Sequence, residues 1–143
     1  METYWLGDCE IAKCVIVLDT SILLLVADGL ASFDNMYDVD YGCRLVVIRP
    51  VLQEIIDISK RDLGKKSRLA RWVLENIIPM VEIEDFVFEG PVDDALIAFA
   101  KNLRDRGFKV FIASADRKVR EKAMKESIEV IVYRSSEKIF ETL

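Results

Sequence analysis

The stretch VIVLDTSILLLVA, Val15 to Ala27, decides the fold. Its first four residues are β-branched or leucine with no polar residue among them, as in a strand covered on both faces, the habit of parallel sheets. Asp19, Thr20 and Ser21 follow, small polar residues of the kind that start helices. Ser21–Ala27 then reads as a helix. A buried strand running straight into a helix is the opening of a βαβ unit. The apolar run Ile22–Ala27 is far too short to cross the ~30 Å of a bilayer's hydrocarbon.

The same alternation continues outward. Strands are predicted at Leu45–Ile48, Met80–Ile83, Lys109–Ala113 and Val130–Val132. A stretch to about Tyr37 extends the first helical segment, and helices follow at Val51–Arg61, Ser67–Ile77, Val92–Arg106, Asp116–Lys125 and Ser136–Glu141. Pro50 precedes one helix, Gly90-Pro91 opens another, and Gly107 closes that one. The pattern is a doubly wound α/β sandwich with a central parallel sheet. Residues 1–14, with Tyr4 and Trp5, form an N-terminal extension outside this scheme, either an extra edge element or an oligomer contact. Residues 15–143 form the domain.

Composition narrows the chemistry. The chain has 143 residues, 52% of them hydrophobic and 31% charged, enough for one packed core under a charged surface. It contains no histidine, which excludes Ser-His-Asp triads, Cys-His pairs and HExxH zinc sites together. A net charge of −5 argues against a purely electrostatic nucleic-acid binder, though not against a nucleic-acid enzyme. Cys9, Cys14 and Cys43 lack CxxC spacing and read as free thiols in a reducing compartment. The acidic N-terminus is unlike a signal peptide, and the expected location is the cytoplasm. Gly64-Lys65-Lys66-Ser67 has no glycine at position 59 and so is not a P-loop. Asp38 to Gly42 misses the EF-hand spacing. Asp19-Thr20-Ser21 lacks the second aspartate of haloacid-dehalogenase-type phosphatases.

The acidic residues carry the functional argument. Helices that follow strands in a parallel sheet all begin at its carboxyl edge, where such folds bind ligands. Asp19, Glu54, the pair Asp93 and Asp94, and Asp116 each come just after a predicted strand, so they share one rim. With strand order 3-2-1-4-5 the winding reverses between the strands ending in Asp19 and Asp116, and these two should be closest. Each acid alone is adequately explained as a helix cap or a macrodipole partner. Together they repel and raise one another's pKa unless a cation offsets them. Glu54 flanks the apolar stripe Val51, Leu52, Ile55 and Ile58, at the border of the packed face. Hard carboxylate oxygens without imidazole or thiolate suit Mg²⁺ or Mn²⁺, and phosphodiester hydrolysis is the natural chemistry.

At these residues the sequence resembles the PIN-domain nuclease family, from about Val15 to about Val132. The resemblance is carried by Val-Leu-Asp19-Thr20-Ser21, by Arg-Pro50-Val-Leu-Gln-Glu54, by Asp93-Asp94-Ala-Leu-Ile-Ala-Phe-Ala, and by Ile-Ala-Ser114-Ala-Asp116-Arg. It implies a three-layer α/β/α sandwich and a metal-dependent ribonuclease. In that reading Asp19, Glu54, Asp94 and Asp116 hold one or two Mg²⁺ or Mn²⁺ ions, with Ser21 and Ser114 supporting through their hydroxyls. Asp93 either caps its helix or joins the metal shell; the family pattern fits Asp94 better.

For the RNA backbone the candidates are the basic stretch of Lys60, Arg61, Lys65, Lys66, Arg68 and Arg71, with Arg117, Lys118 and Arg120 beside the rim. The plain alternative is a solvated helix face. No aromatic residues are obviously interleaved for stacking. The Gly64-Lys65 turn and the helix after it look more like the ribosomal-RNA-processing branch of the family than its compact toxins. The alternatives are a VapC-like toxin ribonuclease held by an antitoxin, or a PIN fold that binds RNA without cutting it. Implied partners are RNA, a second copy of the chain by family habit, and an antitoxin or ribosome-assembly factor; no membrane is implied.

Overall fold

The structure, a computed structural model, describes residues 14–30, 32, 42–61, 64–134 and 139–143. Residues 1–13 of the N-terminal extension, Cys9 among them, and the segment near Tyr37 lie outside them, while residue 14 of that extension opens the first strand. The strands are β1 (Cys14–Leu18), β2 (Arg44–Ile48), β3 (Glu82–Glu84), β4 (Lys109–Ala113), β5 (Glu129–Arg134) and β6 (Ile139–Thr142). The helices are α1 (Thr20–Ala27), α2 (Arg49–Ser59), α3 (Lys65–Asn76), α4 (Val92–Asp105) and α5 (Arg117–Lys125), with a 3₁₀ turn at Ile78–Met80.

The sheet is mixed and mostly parallel, with order β3-β2-β1-β4-β5-β6, and helices flank it. The five parallel strands run in the expected order. The expected terminal helix at Ser136–Glu141 is corrected: Ile139–Thr142 is instead a sixth strand, antiparallel to β5. The four residues Ile139-Phe140-Glu141-Thr142 are too few to show either period. Pairing with β5 decides between them, with Tyr133 against Phe140 at 5.1 Å between ring centroids and Arg134 ion-paired to Glu141.

β1 lies at the centre, with Val15 to Leu18 all fully buried between β2 and β4. Right-handed crossovers run from β1 outward to β3 and then back across to β4, so α1–α3 cover one face and α4–α5 the other. The helix contacts mostly follow this division, α1, α2 and α3 among themselves and α4 with α5, while α2 also meets α4. The return from β3 to α4 is anchored by Phe86, which meets Phe99 edge-on at 5.3 Å and Phe88 at 6.2 Å. Gly90 in this connection has φ +135°, and a Cβ there would come within 3.1 Å of the Phe88 ring. Only glycine suits the turn that delivers the start of α4 to the sheet edge.

The expectation of free thiols is corrected for one pair. Cys14 and Cys43 form a disulfide, with Cα atoms 4.6 Å apart. The β1–β2 register pairs Val15 with Arg44, which brings the residues just before them together, within the usual Cα range for a bridge. Strand pairing, not local spacing, makes this contact.

Candidate active site

Asp19 ends β1, and its backbone N–H donates to the Ala113 carbonyl at the end of β4 (3.0 Å). That bond pins Asp19 where the winding of the sheet reverses. Its side chain is 5% exposed and meets three donors. Oδ1 accepts from the Thr20 N–H (2.7 Å), and Oδ2 accepts from the hydroxyls of Ser114 (2.7 Å) and Ser21 (2.9 Å). The two serine oxygens lie 3.3 Å apart. Each also accepts a backbone bond from the turn after β4: Ala115 N–H to Ser21 Oγ and Asp116 N–H to Ser114 Oγ, both 2.9 Å. The serines thus join the Asp19 carboxylate to the backbone that carries Asp116.

Glu54, half-buried in the first turns of α2, accepts a 2.5 Å bond from the Thr20 hydroxyl, so Asp19 and Glu54 are held by adjacent groups. Burial raises the Asp19 pKa above its ordinary value of 3.8, the Ser114, Ser21 and Thr20 bonds oppose that rise, and Glu54 adds to it. Desolvation therefore outweighs three hydrogen bonds, and a negative charge at this position is under-compensated by the protein alone. Asp116 caps α5, accepting from the Lys118 N–H at 2.9 Å, and is exposed. The cap role foreseen as its plain explanation is real, and its other oxygen remains available.

A cleft of about 480 Å³ opens over these residues. Asp19, Glu54, Asp93, Asp116 and Asp28 bring carboxylates to it; Ser21 and Thr20 bring hydroxyls; Leu24, Leu25, Ile58 and Val119 form its apolar wall. Asp94 does not line it. Its Oδ1 accepts from Lys122 Nζ at 2.9 Å over a second, smaller depression between α4 and α5, while Asp93 Oδ2 stands 3.6 Å from the same ammonium. The Asp94 hydrogen bond is the largest cause of a raised Lys122 pKa. At consecutive helical positions the two side chains diverge by about 100°, so one can face the cleft only if the other turns aside.

Of the basic candidates, Arg61 and Lys66 line the cleft. The others are directed elsewhere: Lys65 pairs with Asp28 (3.2 Å), Arg71 donates to the Ser59 carbonyl (3.0 Å), and Arg117 pairs with Glu121 (3.0 Å). Lys60, Arg68 and Lys118 are exposed, and Arg120 is half-exposed. Thr20, Asp28 and Lys122 were not foreseen in the sequence. Thr20 had a signal in its place between Asp19 and Ser21; the other two depend on which helices touch.

The donor set fits a hard divalent cation by its chemistry, with carboxylates and hydroxyls around a buried, under-compensated aspartate. Among the described residues, no three His, Cys, Asp or Glu side chains stand close enough to hold an ion between them. One or two direct carboxylates completed by water, the habit of Mg²⁺, match that spread better than a closed cage.

The chain is similar to Ribonuclease VapC4 of Methanocaldococcus jannaschii. Identity to VapC4 is 29% over 131 residues, covering 88% of this chain and 94% of VapC4. No protein-family model matches the chain. Among solved structures, protein VC1899 from Vibrio cholerae aligns over 85% of the chain with 14% identity and a TM-score of 0.42. The chain spans 31% of that structure's length, in contrast to its near-complete coverage of VapC4.

Proposed function

We propose that this protein is a metal-dependent endoribonuclease with a PIN-like α/β/α fold, of the VapC kind, cutting RNA phosphodiesters in the cleft over Asp19. The observation that carries the reading is the buried Asp19 carboxylate, tied by Ser21 and Ser114 to the Asp116 turn and facing Glu54 and Asp93 across one cleft. The similarity to a ribonuclease VapC favours the toxin ribonuclease held by a protein antitoxin over a role in ribosomal-RNA processing.

A divalent ion, Mg²⁺ or Mn²⁺, bound there supplies Lewis acidity toward a phosphate oxygen and a lowered pKa for the attacking water. Asp19 offers the primary ligand, and the serines hold its orientation so that little is lost on binding. Glu54, tethered by Thr20, and Asp116 contribute from the flanks. Asp93 takes the fourth position in preference to Asp94, because Asp93 lines the cleft and Lys122 engages Asp94 elsewhere. Arg61 and Lys66 meet the phosphates on either side of the scissile bond.

The test is cleavage of single-stranded and structured RNA in Mg²⁺, Mn²⁺ or EDTA, with Asp19→Asn and Asp116→Asn alongside the unaltered chain. Cutting that needs the metal and both acids is expected. Cutting in EDTA, or full activity in both variants, would refute the reading. Tight RNA binding without any cutting would favour a binding module on the same fold.

A further inference from the structure

The cleft extends well beyond its acids. At about 480 Å³ it falls in the ~300–1,000 Å³ range of small-molecule sites, more room than one hydrated ion takes. Two helical stripes run along it. On α1 these are Ser21, Leu24, Leu25 and Asp28; on α2 they are Glu54, Ile58 and Arg61, the last through a turn in which the Arg61 N–H donates to the Ile58 carbonyl (3.2 Å). Each stripe starts among the acids and ends seven residues later, about 10 Å away at ~1.5 Å per residue. Lys66 and Leu69, three residues apart on α3, line the cleft from a helix that packs on both α1 and α2. The cleft therefore passes from carboxylates, over a floor of Leu24, Leu25, Ile58 and Leu69, to Arg61 and Lys66. Asp28 shares that far end, but Lys65 engages it at 3.2 Å, which leaves the end cationic in sum. Among the described residues, no ion pair or hydrogen bond engages the side chain of Arg61 or Lys66.

We propose that this aliphatic floor seats one unpaired nucleobase of a single-stranded RNA, the base of the nucleotide that spans from the phosphate at the acids toward Arg61 and Lys66. The place of the strand at the acids rests on the ribonuclease reading above. A nucleotide strand is anionic at its phosphates and apolar on the faces of its bases, and the cleft presents the complement of both in the same order: a cation-binding centre, an aliphatic surface, then free cations. A base paired in a duplex shows only its edges, whereas a floor walled by three helices takes a face, so the base must be splayed from any helix. Leucine and isoleucine side chains offer no hydrogen bond to a base edge, so the floor accepts all four bases.

The test is methyl NMR of the full chain in EDTA, titrated with AMP and with ribose 5-phosphate, which carries the same charge without a base. AMP is expected to shift the Leu24, Leu25, Ile58 and Leu69 methyl signals upfield by its ring current, and ribose 5-phosphate is expected to leave them unshifted. Leu69 is only half-buried, so Leu69→Ala should fold. It should weaken AMP binding roughly three- to tenfold, the effect of withdrawing some 30–50 Å² of apolar contact, and leave ribose 5-phosphate binding unaltered. Arg61→Gln should weaken both alike. An oligouridine should shift the same methyls, and a blunt RNA duplex should not. Absence of shifts with AMP, equal shifts with ribose 5-phosphate or with the duplex, or unaltered AMP affinity in Leu69→Ala would overturn the proposal. So would methyl shifts that follow protein concentration and not AMP, which would assign the floor to a second copy of the chain. Metal-dependent RNA cutting without these shifts removes the base site alone; base-dependent shifts without cutting leave the base site and remove the nuclease reading.

Discussion

Replacing Asp19 by asparagine separates the two forces acting on that carboxylate. Ionised Asp19 receives three hydrogen bonds, two at Oδ2 and one at Oδ1. Asparagine can keep either set but not both: with its oxygen toward the serines its amide meets the Thr20 N–H, and reversed it meets two hydroxyl donors. Leaving one such donor unsatisfied costs about 1–3 kcal/mol. Against this, asparagine removes a charge whose burial costs several kcal/mol on its own, in a rough continuum figure. Because burial raises the Asp19 pKa, the proton is held more tightly in the fold than in the unfolded chain, and the ionised form lowers stability. The sign follows. Relative to Asp19→Asn, the wild type is most stable below pH 3.8, where the neutral carboxyl keeps acceptors on both oxygens. It loses that lead as pH rises from 3.8 through its raised folded value, and the difference is flat beyond. At pH 7 in EDTA the variant should match or exceed the wild type. Excess Mn²⁺ at a hundred times its Kd should then restore about 2.7 kcal/mol to the wild type alone, roughly 8 °C in Tm at about 3 °C per kcal/mol for a chain of this size. Urea denaturation of both proteins from pH 3 to 7, with and without Mn²⁺, measures every part of this. A wild-type advantage that grows with pH, or an equal Mn²⁺ shift in the variant, would refute the reasoning.

Other consequences can be checked as directly. Ser114 is fully buried and serves both Asp19 and the Asp116 N–H, so Ser114→Ala should lose about 1–3 kcal/mol of stability and weaken Mn²⁺ binding measured by calorimetry; a neutral substitution would remove the serine from the site's support. Asp93→Asn should reduce Mn²⁺ affinity at least tenfold while Asp94→Asn leaves it within about twofold, if one carboxylate ligand is worth over 1.4 kcal/mol; the reverse ranking would return Asp94 to the metal. Reduction of Cys14–Cys43, which closes a separation of 29 residues, should lower stability by about 2–4 kcal/mol in a chain-entropy account. Alkylation without reductant should then label at most one of the three thiols, and labelling of all three would exclude the bridge.

How much of this was legible in the sequence follows from the range of each interaction. The five parallel strands were readable because each βαβ unit announces itself locally, in runs such as Val15–Leu18 followed by a capping residue; their order was an assumption that fits the resemblance, not something those runs contain. The convergence of Asp19, Glu54 and Asp116 on one rim was readable from chirality alone, since every post-strand position lies at the same sheet edge. β6 was not: four residues, two apolar and then an acid and a threonine, carry no period long enough to separate helix from strand, and only pairing with Tyr133 and Arg134 settles the matter. The disulfide escaped for a related reason. Its partners are joined by a register between strands, which composition and CxxC searching do not contain.

The choice within Asp93-Asp94 was out of reach for a sharper reason. Both sit in the first turn of α4, both suit the helix dipole, and the family pattern names the second. What separates them is that Asp93 lines the cleft and Asp94 does not, although Lys122, on a helix that begins only after the next strand, stands against both, 2.9 Å from Asp94 and 3.6 Å from Asp93. α5 buries Val119 and Ala123 against the sheet, and that phase sets Lys122 against the start of α4, where its ammonium engages Asp94 at 2.9 Å. Rotating α5 by one residue would direct the lysine elsewhere and free Asp94. The packing of Ala123 and of Val119, which also lines the cleft, thus sets where the lysine stands against the two carboxylates. Exchanging Lys122 for methionine should therefore alter the site's preference between the two aspartates without altering the fold. Measuring Mn²⁺ affinity in Lys122→Met combined with Asp93→Asn tests this: recovery of affinity through the released Asp94 is expected, and affinity no better than Asp93→Asn alone would show that helix position, not the lysine, excludes Asp94.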